Sequence, residues 1–154
     1  MLDKIVSGGQ TGADRAALDV ALARGLRIGG WVPKGRAAED GRIPERYLGL
    51  VETDSADPAV RTALNVRDSD ASLIVSHGAL AGGSRLTLDE ATRAGKPHLH
   101  LDLDELSLPA ASARLVDWLA DVRPRVLNVA GPRASEDPRI AADTAALLEA
   151  ALLR

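Results

Sequence analysis

Apolar positions along this chain switch repeatedly between a strand period and a helical one. Lys4 to Ser7 is a short apolar strand that runs into Gly8-Gly9-Gln10-Thr11-Gly12. From residue 13 to 24 the spacing becomes helical: Ala13, Ala17, Val20 and Ala21 share one face, and Asp14, Arg15 and Arg24 make the polar complement. Thr11 and Asp14 have capping-box spacing, and Gly25 supplies the stop. Residues 26–31 read as a second strand and 50–53 as a short third. Asp57-Pro58 opens a helix striped by Val60, Ala63 and Leu64, with Asp as N-cap and Pro at the first helical position. Ala71 to Ser76 is an apolar run of the kind that makes a buried strand. A loop from His77 to Arg85 leads to a predicted helix at 87–94, with Thr87 and Glu90 as its capping box and Gly95 as its stop. A strand at 97–101, a helix at 110–121 and a strand at 126–130 follow. Asp137-Pro138 starts the last helix, whose face is Ile140, Ala141, Thr144, Leu147, Leu148, Ala151 and Leu152.

Strands alternating with helices predict an α/β domain: a Rossmann-like three-layer sandwich, a parallel sheet with helices on both faces. Right-handed crossovers restrict the topology. The most economical strand order is 3-2-1-4-5-6, which sets a ligand crevice between the strand ending at Ser7 and the strand ending at Ser76. With 154 residues and no linker, repeat or low-complexity segment, a single domain over 1–154 is expected. The one stretch without either period is 32–49, which carries Pro33, Gly35, Gly41, Pro44 and Gly49. Loops of that length in compact domains are usually functional or disordered; Trp31, Ile43 and Tyr47 beside Lys34, Arg36, Arg42 and Arg46 favour an ordered functional one.

Composition narrows the function. The formal net charge is -3, with both signs mixed along the chain, which argues against nucleic-acid or membrane-surface binding. There is no cysteine, so disulfides, thiolate zinc sites and a cysteine nucleophile are excluded. No apolar run approaches the length of a bilayer span, and the N-terminus lacks the pattern of a signal peptide, so a cytoplasmic location is expected. No GxSxG, HExxH or EF-hand spacing occurs, and no metal site is expected.

Chemistry concentrates in the strand-to-helix loops. In Ser7-Gly8-Gly9-Gln10-Thr11-Gly12-Ala13-Asp14, glycines allow amide N–H groups to approach an anion while the following helix directs its positive end to the same point. Gly12 is expected to serve this nest, so that a valine there would cost binding more than folding. The loop from Gly78 to Thr87 repeats the same physics through Gly82, Gly83 and Ser84. Ser84 and Thr87 offer hydroxyls, and Arg85 offers a bidentate contact to an oxyanion, or else a solvated side chain. Two such loops at one switch point predict a small phosphate-bearing ligand. A third loop, Asn128 to Arg133, falls two strands out from the crevice in this order. Trp31 closes a strand near it, placed to stack on a flat heterocycle or to pack in the core. His98 and His100 face one side of a strand, a pattern that suits packing under a helix better than a metal pair.

The segment Ile5 to Asp19 resembles the opening of the molybdenum cofactor (Moco) carrier family, and Gly29 to Gly41 resembles that family's second signature. Arg61-Thr62, Asn65 to Asp70, the Gly82-Gly83-Ser84 to Thr87 loop, Gly95-Lys96-Pro97 and Leu127 to Arg133 extend the likeness over nearly the whole chain. The resemblance implies a Rossmann-like homo-oligomer, dimer or tetramer, that binds, stores and protects the phosphorylated molybdopterin without turnover. Molybdenum enzymes or an insertase would be its donor or acceptor. On that basis the phosphate would sit on amides of Gly8, Gly9, Gln10, Thr11 and Gly12 and of Gly82, Gly83 and Ser84. Thr11, Ser84 and Thr87 would add hydroxyls, and Lys34, Arg36 or Arg85 would offset the charge. The 32–49 loop, with Trp31 at its start, would close over the heterocycle. The second loop is also similar to the PGGxGTxxE loop of the Lonely Guy phosphoribohydrolases, in a wider group with lysine-decarboxylase-like proteins. Gly82, Gly83, Thr87 and Glu90 correspond, but Ala81 replaces the Pro and one residue is inserted before Thr87. That likeness implies the alternatives: a nucleotide-processing enzyme with Glu90 as its acid/base, or a sensor that binds a nucleotide-like ligand without turnover.

Overall fold

The apolar runs do assemble as a parallel sheet. The computed structural model describes residues 1–153. Its main sheet is built from β1 (Lys4–Val6), β2 (Arg27–Val32), β5 (Leu50–Glu52), β6 (Ala71–Ser76), β7 (His98–Asp102) and β8 (Val126–Ala130), and all neighbouring pairs are parallel. Helices α1 (Ala13–Ala23), α4 (Leu108–Val122) and α5 (Ile140–Leu152) pack together against one face; α2 (Pro58–Arg67) and α3 (Gly82–Ala94) pack against each other on the opposite face. The predicted three-layer α/β sandwich is therefore the observed fold.

The strand order is β5-β2-β1-β8-β6-β7, which corrects the expected one. Numbered by main-sheet strands alone, it reads 3-2-1-6-4-5: the last strand inserts between the first and the fourth. Burial explains the choice. Leu127 and Val129 of β8 are fully buried, and such a strand belongs inside the sheet. His98-Leu99-His100-Leu101-Asp102 alternates polar with apolar and leaves His98 exposed, which suits the edge position that β7 takes. The consequence for function is direct. The loop after β8 opens at the centre of the sheet between the loops after β1 and β6, not two strands away.

The principal core lies between the sheet and α1, α4 and α5. Ile5, Leu73, Val75, Leu101 and Leu127 meet Ala17, Leu115, Ile140, Leu147 and Leu148 there. Each such fully buried aliphatic side chain contributes roughly 1.5–3 kcal/mol relative to exposure. A smaller cluster of Leu18, Val32, Ile43 and Tyr47 pins the 32–49 excursion to the body. That excursion is ordered, as its composition implied: a 3₁₀ turn at Lys34–Arg36 and a hairpin of β3 (Ala37–Ala38) with β4 (Gly41–Arg42).

Several helix starts differ from expectation: α4 begins two residues early at Leu108, and α5 begins at Ile140 with Arg139 as N-cap, after the expected Asp137-Pro138. Helix α2 begins as predicted, with Asp57 accepting from the Ala59 amide at 3.0 Å. Helix α3 instead begins five residues early, at Gly82 with Ala81 as N-cap, so Thr87 lies inside it. The Thr87 hydroxyl donates to the Gly83 carbonyl one turn back, at 3.0 Å, and Glu90 pairs with Arg93 at 2.8 Å; neither caps the helix. Glycines are weak helix formers, so Gly82-Gly83 reads as loop, but packing on α2 and the sheet overrides that propensity. At α1 the N-cap is Gly12, with no side-chain cap.

Candidate functional site

The carboxyl ends of β1, β8 and β6 surround a cleft of about 410 Å³, within the range of small-molecule sites. Gln10 and Asp14 line it from the first loop. Ser76, His77, Ala81, Gly83, Ser84 and Thr87 line it from β6 and α3, Gly131 to Arg133 and Glu136 to Arg139 from the segment after β8, and Arg61 and Thr62 from α2.

Most of the first glycine loop is taken up by the protein's own groups, the amides of Gly9, Gln10, Thr11 and Ala13 all having internal acceptors. Ser7 Oγ donates to the Asp14 carbonyl at 3.0 Å and accepts from the Gly9 amide at 3.3 Å. The Gln10 amide donates to Asp14 Oδ2 at 3.2 Å, the Thr11 amide to the Gln10 side chain at 3.1 Å, and the Ala13 amide to the Pro132 carbonyl at 3.2 Å. Arg61 lies across Gly8, where an added Cβ would fall 1.4 Å from its Nη1, and Ile43 and Val32 cover Gly9. Gly12 has φ 82°, and a Cβ there would stand 2.4 Å from the Pro132 carbonyl oxygen and 2.9 Å from the Ala134 amide. Its role is backbone packing against the loop after β8. A valine there is therefore expected to damage folding first, which reverses the expectation from sequence.

The second loop is open. Ala81 provides no side-chain cap to α3, and among the described residues no acceptor meets the amides of Gly82, Gly83 and Ser84. Ser84 is only 6% exposed, lines the cleft, and its hydroxyl has no hydrogen-bond partner among the described residues. A Cβ on Gly83 would meet nothing within 4 Å. Unpaired donors at a helix start, with the positive end of the helix dipole behind them, are an anion seat.

Arg61 supplies the nearest cation. Its Nη1 is 3.3 Å from Asp14 Oδ2, and its buried Nε has no partner among the described residues. Asp14 is fully enclosed; burial pushes its carboxyl above the usual range, against the pull of Arg61 and the Gln10 amide. Across the cleft His77 is held between two carboxylates, Nδ1 at 2.5 Å from Asp137 and Nε2 at 2.8 Å from Asp143. Burial opposes its charge, but the hydrogen bonds to Asp137 and Asp143 outweigh it and raise its pKa above the ordinary histidine value. The ion pairs Arg133–Glu136, at 2.9 Å, and Arg139–Asp104, at 3.8 Å, complete the rim.

Several residues named from the sequence stand elsewhere. The Trp31 indole donates to Asp68 at 2.8 Å and its amide to Asn65 at 2.7 Å, so it is held against α2 and does not line the cleft. Arg36 is buried and donates to the carbonyls of Ile43 and Pro44, which makes it a staple of the excursion. Lys34 and Arg85 are exposed, and Arg85 pairs with Asp89. Thr11 donates to Glu39 and accepts from the Ala134 amide at 3.1 Å, so its hydroxyl ties three segments together and does not line the cleft. Glu39 also accepts from the Ser135 amide and hydroxyl, and these bonds hold its carboxyl below the usual range. Glu90 does not line the cleft. The side chains that do, and that the loop reading missed, include Asp14, Arg61, His77, Arg133 and Asp137. Arg61 had a signal: it belongs to an amphipathic helix yet opens a conspicuous Arg-Thr pair. His77 directly follows β6, a strand buried at every position, at a carboxyl end, where α/β folds carry function. No group of three or more His, Asp or Glu able to hold a metal occurs among the described residues. No helix of the described residues is long and apolar enough to cross a membrane.

The chain belongs to the circularly permutated YpsA SLOG family, whose model matches residues 5–152. It is similar to a solved structure at 1.45 Å resolution from Syntrophus aciditrophicus SB, named "Putative molybdenum carrier protein". The identity is 52% and the TM-score 0.96, over 98% of this chain and 95% of that one. No curated protein matches the chain. The resemblance drawn from the loop motifs is thereby upheld at the level of the family.

Proposed function

We propose that this member of the circularly permutated YpsA SLOG family binds and shelters the molybdenum cofactor as a carrier, without turning it over. The observation that carries the reading is the open start of α3. Three unpaired amides and the hydroxyl of Ser84, unpartnered among the described residues, stand at a helix start whose Gly83 and Ser84 line a cleft of about 410 Å³. A pterin phosphate presents the matching group. Its phosphoryl oxygens would accept from residues 82–84, with Arg61 offsetting charge from the α2 side, while the pterin would lie toward the 131–139 segment. The name of the 52% identical neighbour agrees with this ligand.

Retention follows from the walls. The 32–49 excursion, clamped by Glu39 onto Thr11 and Ser135, stiffens the loops around the cleft. Charged groups on the rim are paired, which leaves few side chains free for chemistry. The phosphoribohydrolase reading needs Glu90 in the cleft, and its carboxylate is instead engaged by Arg93 outside it.

The decisive experiment adds Moco to purified protein in air and follows its oxidative decay. Protection that is lost in Gly83→Val, where the new side chain enters the cleft rather than the protein, is the expected result. Decay at the rate of free cofactor, with no binding, rejects the proposal. Release of free base from a panel of nucleoside monophosphates would favour an enzyme instead.

A further inference from the structure

The helices are not held to the sheet equally. On one face α1, α4 and α5 all enter the principal apolar core, through side chains such as Val20, Leu115, Ile140 and Leu148. Helix α3, on the other face, supplies no residue to either apolar cluster among the described residues. Its buried side chains are Ser84, Thr87 and Ala91, two of them polar, while Leu86 and Leu88 are only partly buried. The face of β6 turned away from Leu73 and Val75, toward α3, presents Ser72, Ile74 and Ser76. Among the described residues no side-chain hydrogen bond joins α3 to the sheet. Thr87 donates to Gly83 and Thr92 to Leu88, and Arg85 and Arg93 pair with Asp89 and Glu90 of the same helix. Its neighbour α2 is tied down: the Asn65 side chain accepts from the Trp31 amide at 2.7 Å and donates to the Trp31 carbonyl at 3.0 Å. The two ends of α3 differ as well. Gly82 at its start has φ 53° and Gly95 after its end has φ 68°, left-handed values that glycine adopts without strain. Just beyond Gly95 the chain is anchored, because Lys96 Nζ donates to the carbonyls of Val66, at 3.1 Å, of Ser69, at 2.7 Å, and of Arg67. Before Gly82 the amides of Ala79, Leu80 and Ala81 meet no acceptor among the described residues.

From these contrasts we infer that α3 is the gate of the cleft: it detaches from its 82–84 end, pivots at Gly95, and is held shut by an anion seated on residues 82–84. The closing step rests on the anion seat proposed above; the detachment does not. The free energy of a local opening is set by the apolar contacts and hydrogen bonds that it breaks. Detaching α3 exposes Ala91, the facing Ile74 and parts of Leu86 and Leu88, and it breaks no side-chain bond to the sheet. Detaching α5 would expose Ile140, Leu147 and Leu148 of the principal core. The cleft lies between Ser84 and Thr87 of α3 and Gly131 to Arg133 of the body, so a molecule filling it links the gate to its frame. The 32–49 excursion, clamped by Glu39 onto Thr11 and Ser135, belongs to that frame. A helix of 13 residues cut off from its packing is marginal in water, so each detachment opens its amides to exchange.

Hydrogen exchange of the full chain at neutral pH, read helix by helix, tests it. The hydrogen-bonded amides of α3 are expected to exchange about tenfold faster, or more, than those in the middle of α1 and α5, with residues 86–88 ahead of 91–94. Inorganic phosphate at about ten times its dissociation constant should slow α3 roughly tenfold, because only the closed state binds it. Lys96→Met frees the anchored end and should remove the difference between 86–88 and 91–94. If that variant does not fold, the wild-type rates still decide. Exchange of α3 as slow as that of α1 and α5 overturns the inference. So does an unchanged α3 rate while calorimetry shows phosphate bound, and that result leaves the anion seat standing. An unchanged gradient in folded Lys96→Met removes the pivot. No binding of phosphate removes the seat, the closing step and the proposed function together, and the rates in the free protein then decide the detachment alone.

Discussion

The two glycine-rich loops look alike as sequence and do opposite work. After β1, Ser7 to Gly12 uses its glycines so that other parts of the molecule can come close: Arg61 over Gly8, Ile43 over Gly9, the Pro132 carbonyl against Gly12. Its amides at positions 9, 10, 11 and 13 are consumed internally. After β6, Gly82 and Gly83 have nothing within 4 Å of where a Cβ would stand, and the amides of residues 82–84 are unspent. A glycine cluster thus marks close approach, and only its surroundings tell whether the visitor is the chain itself or a ligand.

The largest effect that can test this contrast lies at Gly12. Gly12→Val adds a branched side chain at φ 82° with a backbone oxygen 2.4 Å from its Cβ. Either the α1 start or the loop after β8 must move. A loss of about 3–5 kcal/mol of stability is expected, at the severe end for single substitutions. Denaturant unfolding measures it. Stability near wild type, with only ligand binding lost, would return Gly12 to the role first expected of it.

Gly83→Val is the mirror experiment. The new side chain enters open cleft space, and the backbone there does not require glycine. Stability should change by less than about 1 kcal/mol, as for other substitutions that strain nothing. Affinity for inorganic phosphate should fall by roughly two orders of magnitude, equivalent to about 2.7 kcal/mol. Equal damage to folding and binding at both glycines would erase the distinction between the loops.

The contrast was only partly legible in the sequence. The sandwich was, because alternating periods of apolar residues dictate it. The place of β8 depends on comparing strands with one another: 126–130, apolar but for the buried Asn128, belongs inside, while the alternating 98–102 belongs at an edge, and crossover economy alone favours the wrong order. Of the residues expected at the site, Gly83 and Ser84 line the candidate cleft, because small residues at a helix start leave donors exposed. Arg36 was misread because a buried arginine stapling three carbonyls has the same spelling as a solvated one. Asp14 and Arg61 were missed as a pair because 47 positions separate them and only the fold joins them.

A pH dependence separates the wall after β8 from the seat at α3. The folded-state pKa of His77 is raised, so the stability it contributes is fully present below the unfolded value of about 6.5. That stability declines as pH rises through the higher folded value, because deprotonation leaves Asp137 and Asp143 competing for one remaining N–H. His77→Gln should flatten this slope on the alkaline side of about pH 6.5 in thermal unfolding. An unchanged slope would show that another group titrates there.

The smallest expected effect concerns Arg85, whose place in the sequence suggested a phosphate clamp. Its guanidinium is exposed and held by Asp89 one turn along α3, an arrangement worth only a few tenths of a kcal/mol. Any contribution to the cleft is through solvent, where charges more than about 8 Å apart are screened at physiological salt. Arg85→Ala should therefore leave phosphate affinity within twofold at 0.15 M salt, with a somewhat larger loss at low ionic strength. Arg61→Met should instead cost binding at any salt, because its charge is buried beside Asp14 and cannot be replaced by counterions. A tenfold, salt-insensitive loss in Arg85→Ala would mean that the side chain swings across the α3 start when an anion arrives. The seat would then rest on a mobile cation and not on fixed amides alone.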